Sequence, residues 1–280
     1  MWTPDEQRQA KSAIQYFSST RQYEAAIQLL DKMAQMTTDS ETKSQLIEAV
    51  VASWQKSDTS QIRPEQMLKH LERYQKQTQI TLQTYTMILD VANKRGGGGV
   101  VRRTQDPSEF AEKILFTVQR SPHLVPDSVF LATLLYSYTK CTLPDAASRV
   151  TKYFRQFKAL ATPIASQYAS VTTTLAMKSG GAQEVPQQVE ELMGEMQAVY
   201  GLAPDIQAYC CVLNAWAESS HPRAAQICLQ KLQELKQMPN IQPNAVAYGT
   251  VLKALARKGL AEQAEQLLLE CLQRHESTQR

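Results

Sequence analysis

The 280-residue sequence has no apolar run approaching the roughly 18 residues that a membrane-spanning helix needs. Its longest, around 129 to 136, is interrupted by Thr133, which leaves no candidate span. The opening residues, MWTPDE, have neither the apolar core of a secretory signal nor the Arg-rich, acid-poor character of a transit peptide, so no targeting segment is visible there. The five cysteines, Cys141, Cys210, Cys211, Cys228 and Cys271, are odd in number and include no C-x-x-C spacing. All but Cys141 fall within apolar helical patterns, so buried thiols in a reducing compartment are expected rather than a disulfide framework. His70, His123, His221 and His275 are far apart and none has Cys or acid at ligand spacing, so no metal site is expected. His70 falls on an apolar stripe and reads as a packed side chain. Gly96 to Gly99 could suggest a phosphate cradle, but no Gly-Lys-Ser/Thr follows, and the flanking Lys94-Arg95 and Arg102-Arg103 make a flexible basic loop the better reading. Strong charge of one sign is also missing. A net charge of +3 permits nucleic-acid binding without arguing for it.

What is present is a repeat. The composition, 43% hydrophobic and 20% charged, is that of an ordinary globular chain, so the arrangement carries the information. An aromatic or apolar residue followed at +3, +4 and +7 by further apolar residues marks one face of a helix. Tyr85, Ile88, Leu89, Ala92 match, as do Leu131, Leu134, Leu135, Tyr138, then Tyr209, Val212, Leu213, Trp216, and Tyr248, Val251, Leu252, Leu255. Looser copies begin at Ala10, Lys43 and Tyr168. Each is followed by a second helix whose face usually opens on a small residue, as at Ala26, Ala111, Ala147, Ala225 and Ala264, while Met67 and Val189 open the other two. From first helix to second the spacing is 16 residues from Ala10 to Ala26, Leu131 to Ala147, Tyr209 to Ala225 and Tyr248 to Ala264. The remaining hairpins carry inserts containing Ser57 to Ser60, Gly96 to Gly99 and Gly180-Gly181. Helix A and helix B thus alternate seven times. Between repeats, Pro126-Asp127, Pro204-Asp205 and Pro243-Asn244 stop one helix and supply a residue suited to cap the next.

A unit of about 35 residues with a Pro-Asp joint, a Tyr at its fourth position and a helix B of the form Ala-x-x-Leu-Leu resembles the pentatricopeptide repeat family. The best match runs from Pro204 to Arg274, with PDIQAYCCVLNAWAES and PNAVAYGTVLKALARKGLAEQAEQLLLECL. The Trp-x-x-Leu-Gly-x-x-Tyr signature of tetratricopeptide repeats is not found. The resemblance implies an all-α fold, a right-handed alpha-alpha superhelix or solenoid of about seven helical hairpin repeats. Residues 1–81 would form two divergent hairpins, continuous with five repeats at 82–127, 128–164, 165–205, 206–244 and 245–280.

The resemblance also implies a groove along the A helices that binds single-stranded RNA at one nucleotide per repeat. In the family the fifth and thirty-fifth positions read the base and the second packs on its face. This assigns base reading to Thr86, Asp127, Cys210, Asn244, Asp205, Ser44 and Thr81, and base packing to Val129 and Val246. Thr86 with Asp127 is the one well-formed pair, of the kind that favours guanine. Ala132, Ile164, Ala169 and Gly249 leave the rest of the code degenerate. Lys94, Lys140 and Arg257 at the thirteenth position, with Lys178 one step later, would contact the RNA backbone, although a basic residue is common at any helix C-terminus. Glu190, Glu191 and Glu195 read as a solvated outer face, and no catalytic residue or cofactor is expected. The expectation is a monomeric, non-catalytic RNA-binding adaptor for organellar transcripts, in mitochondrion or plastid by resemblance. It would work with other RNA-processing proteins and without a membrane. A protein-binding solenoid that has lost the code is the alternative.

Overall fold

The computed structural model describes residues 3–20, 23–36, 39–56, 64–75, 78–95, 106–159, 161–178 and 180–278. Its described residues form fourteen helices and no strand. The chain divides into two compact units, Met1–Cys141 and Thr142–Arg280. The first holds α1 (Pro4–Ser19), α2 (Tyr23–Met36), α3 (Ser40–Lys56), α4 (Pro64–Tyr74), α5 (Leu82–Arg95), α6 (Pro107–Arg120) and α7 (Ser128–Lys140). The second holds α8 (Ala146–Lys158), α9 (Ala165–Lys178), α10 (Val185–Ala198), α11 (Ile206–Glu218), α12 (Ala224–Lys236), α13 (Ala245–Arg257) and α14 (Ala261–Thr278). The inserts at Ser57 to Ser60 and Gly96 to Gly99 lie outside the described residues.

In each unit the odd helices lie side by side. α1, α3, α5 and α7 form one row and α9, α11 and α13 another, with even-numbered helices packed behind them. The stripe read from the sequence is the seam between the layers. Tyr85, Ile88 and Leu89 are buried, Leu131, Leu134, Leu135 and Tyr138 are wholly so, and Ala111 and Ala225 at the heads of α6 and α12 are fully covered. A small residue at that position lets two helix backbones approach closely, and because each hairpin covers only part of its apolar surface, its neighbours must cover the rest. α8 departs by one residue, since Ala146 is buried where Ala147 was expected.

Polar side chains tie the second unit together at recurrent positions. Glu195 on α10 accepts hydrogen bonds from Tyr168 Oη at 2.6 Å and Lys158 Nζ at 2.7 Å. Glu270 on α14 does the same for Lys236 at 2.8 Å and, more weakly, for Tyr248 at 3.4 Å. Tyr168 and Tyr248 both occupy the fourth position of a repeat, and the two carboxylates occupy matching places on their B helices. Glu190 accepts from Trp216 Nε1 at 2.6 Å and pairs with Lys231 at 2.9 Å. Tyr138 makes the corresponding bond to Glu112 in the first unit, at 2.7 Å. These contacts correct the expectation of a solvated glutamate cluster: Glu190 and Glu195 clasp neighbouring repeats, and of the three only Glu191 is exposed. The Glu195 carboxyl is opposed by burial, yet the bonds from Lys158 and Tyr168 outweigh it and hold the group below its ordinary pKa.

The thiol expectation also needs correction. Cys141, the cysteine outside the helical patterns, is fully buried, as is Cys228, whereas Cys210, Cys211 and Cys271 are half-buried. Cys210 stands at the fifth position of its repeat, on the side of α11 turned away from the seam.

Candidate nucleic-acid interface

The joints between repeats determine which atoms the open face of the odd helices presents in each unit. Asp127, Asp205 and Asn244 are N-caps of α7, α11 and α13, each with extended backbone and a side-chain oxygen accepting from an amide of the first turn. The distances are 2.8 Å from Phe130 N, 2.9 Å from Ala208 N and 3.0 Å from Ala247 N. Capping uses one terminal atom of each side chain and orients the other. In Asp127 and Asp205 the remaining atom is a second carboxylate oxygen, an acceptor. In Asn244 the oxygen must face the amide, so the remaining atom is the NH2 donor. All three residues are exposed.

The fifth-position residues lie on neighbouring odd helices. Cys210 Sγ donates to Asn244 Oδ1 at 3.7 Å, joining that expected pair across α11 and α13. Burial, with Cys211 and Asp205 adding to it, pushes the Cys210 thiol pKa up and keeps its proton in place. Thr86 is half-buried and returns its hydroxyl proton to Leu82 O at 2.9 Å, which leaves its oxygen lone pairs available as acceptors. No hydrogen bond joins Thr86 to Asp127. Ser44 is half-buried on α3. Its counterpart Thr81 meets Thr84 Oγ1 at 2.9 Å and accepts from Thr84 N at 3.3 Å, at the start of α5. At the second position, Val129 and Val246 are 61% and 62% exposed.

The basic positions have partners of their own. Lys94 forms an ion pair with Asp90 one turn back, at 2.6 Å. Lys140 Nζ donates to Asn93 O at 3.0 Å near the end of α5, and Arg257 Nη1 donates to Ala217 O at 2.9 Å near the end of α11. The two contacts are equivalent, each joining a thirteenth-position cation to the twelfth-position carbonyl of the preceding odd helix, where the helix dipole is negative. Glu218, at the thirteenth position of its own repeat, pairs with Lys253 and Arg257, and the hydrogen bond from Lys253 is the main cause of its lowered carboxyl pKa. Lys178 lines a cavity beside α8 and α10.

One side chain on this face escaped the sequence reading. Tyr136 is 44% exposed, with Lys140 Nζ 4.7 Å from its ring centroid. It stands five residues after Leu131, off the +3, +4, +7 stripe. An aromatic off the stripe was the signal that could have found it.

Comparison with known proteins agrees with the helical-repeat fold. The family model described as PPR repeat matches residues 246–275, which span α13 and most of α14. The chain thus carries a PPR repeat at residues 246–275 and is similar to pentatricopeptide repeat proteins. A mitochondrial pentatricopeptide repeat-containing protein of Arabidopsis thaliana is 23% identical over 171 residues, covering 61% of this chain and 38% of that relative. Among solved structures, the maize pentatricopeptide repeat protein PPR10 superposes with a TM-score of 0.52 at 13% identity, over 95% of this chain and 48% of the maize chain. The pentatricopeptide repeat domain of Arabidopsis thaliana protein-only RNase P 1, solved in complex with tRNA, gives 0.50 at 17% identity, over 78% of this chain and 92% of that one. The chain therefore spans less than half the length of the curated relative and of the maize protein, and at these identities the structural likeness establishes the fold.

Proposed function

We propose that this chain is a non-catalytic adaptor that binds single-stranded RNA on the open faces of the odd helices within each of its units. The observation that carries the reading is the capped thirty-fifth position. Asp127, Asp205 and Asn244 each hold one terminal atom against a helix amide and turn the other outward. Near two of them, an exposed valine in the same first turn, Val129 or Val246, offers an apolar surface on which a base face can pack. On the Watson–Crick edge, guanine and uracil carry a ring N–H, whereas adenine and cytosine carry a ring acceptor. The free oxygens of Asp127 and Asp205 therefore suit guanine or uracil, and the amide of Asn244 suits adenine or cytosine. Thr86 narrows the Asp127 position to guanine by family resemblance, while Ser44 and Thr81 contribute little discrimination. Tyr136 adds a stacking platform, and Lys94, Lys140, Lys178 and Arg257 supply charge for the RNA backbone. In the cell, the reading extends to processing, stability or translation of organellar transcripts in mitochondrion or plastid, as a monomer alongside other RNA-processing proteins.

A titration of labelled single-stranded RNA across salt concentrations tests the proposal. Each phosphate neutralised contributes a slope of about −0.7 in log affinity against log salt, so three contacts should give about −2. Absence of binding at low salt would overturn it. That outcome would favour a protein-binding solenoid, a reading supported by the internal pairing of Lys94 with Asp90 and of Lys253 and Arg257 with Glu218.

A further inference from the structure

α8 and α10 both pack on α9 and are joined to each other by the Lys158–Glu195 pair, and a cavity of about 680 Å³ lies beside them. Leu175 of α9 and Val185 of α10 supply apolar lining. Lys152 and Arg155, three residues apart on α8 and so on one face, bring two cations to the cavity, and Lys178 at the end of α9 brings a third. None of the three is ion-paired with any described residue. Asp145 is the single acid in the lining, and Arg149 already holds it at 2.7 Å. Neighbouring lysines on the even helices differ, since Lys158, Lys231 and Lys236 each have a glutamate. Three uncompensated cations converging on one cavity repel one another and favour an anion. Ser148 and Gln188 add hydrogen-bonding groups to the wall. The cavity is widely open to solvent, and its apolar lining gives a sugar or base somewhere to rest once its phosphate is held.

We propose that this cavity is a nucleotide-phosphate site set apart from the base-reading residues, held by Lys152 and Arg155 together with Lys178, which it shares with the row of backbone-contacting cations. Its ligand is a phosphate ester, arriving either as a free nucleoside monophosphate or as one unit of a bound RNA strand. The site does not depend on the base-reading proposal, because the free nucleotide tests it without RNA.

The decisive variant is Lys152→Gln/Arg155→Gln. Both side chains are exposed and without an ion pair among the described residues, so the variant should melt like wild type in the absence of ligand. Calorimetric titration with 5′-UMP, with uridine as the phosphate-free control, reads the first source. Binding of UMP but not uridine, weakened at least tenfold in the variant, supports a free-nucleotide site. The salt dependence of single-stranded RNA binding reads the second source. A wild-type slope reduced by about 0.7 to 1.4 in the variant, one or two phosphate contacts, supports a strand site even if free UMP does not bind. The proposal is overturned if UMP binds neither protein, or both equally, and the RNA slope is unchanged or RNA is not bound. Loss of RNA binding alone, with UMP still bound, would defeat the base-reading proposal and leave this site standing.

Discussion

Replacing Asp127 with Asn isolates base reading from stability, because the two residues cap a helix about equally well. The variant keeps an oxygen on Phe130 N, now at 2.8 Å, and changes only the atom turned outward, from a carboxylate oxygen to an NH2 donor. Asn244 already has this arrangement on α13, so the substitution installs at α7 a geometry that the chain uses elsewhere. A well-made pair of hydrogen bonds to a base is worth about 1 to 3 kcal/mol of discrimination. Asp127 is exposed, which favours the lower end, and about 1 kcal/mol corresponds to roughly a fivefold preference. The swing should run from guanine toward adenine at one nucleotide, with Thr86 unchanged. Selection from a random RNA pool, followed by affinities for two RNAs differing only at that nucleotide, measures it, and Asp127→Ala serves as the control that loses cap and reading together. If Asp127→Asn melts normally and binds RNA with the wild-type preference at every nucleotide, the capped thirty-fifth position does not read bases.

Three further expectations concern the scaffold. Trp216→Phe removes the donor to Glu190 while keeping most of the ring, and leaving a part-buried acceptor with one partner fewer should cost about 1 to 2 kcal/mol in chemical denaturation; an unchanged midpoint would mean that Lys231 alone satisfies Glu190. Glu195 has a lowered folded pKa, so the stability linked to its ionisation is present above the ordinary glutamate value of 4.5 and is lost as pH falls through the lower folded value. Glu195→Gln should therefore be less stable at pH 7 and show a smaller loss between pH 5 and 3, and parallel curves would refute the clasp. Gly181 has φ +82, and a Cβ there would sit 2.9 Å from Glu218 O. Gly181→Ala should lower the melting temperature through backbone strain of about 1 kcal/mol or more, whereas Gly180→Ala, with open space around its Cβ, should cost less.

The sequence was most legible where one residue's role depends on its own helix. The +3, +4, +7 stripes marked the seam, and Asp127, Asp205 and Asn244 could be recognised as caps because the following amides are fixed in space once a helix begins. Reading failed where a partner comes from another repeat. Glu190 and Glu195 look solvated on a helical wheel, since nothing local indicates that Trp216 and Lys231, or Tyr168 and Lys158, will be brought to them. The basic positions were located by spacing, but their carbonyl partners were not, because Asn93 O and Ala217 O are 47 and 40 residues from the side chains that reach them.

By itself the sequence determined the helical repeat, the alternation of long and small residues on the seam, and the side-chain type at each joint, all of which follow from the 3.6-residue period and local capping chemistry. Only the tertiary structure decided which carboxylates are clasps, which lysines are engaged, and which outward atom each cap presents. It also brought Lys152, Arg155 and Lys178 to one cavity, an arrangement invisible along the chain because α8 and the end of α9 become neighbours only when both pack in the same unit.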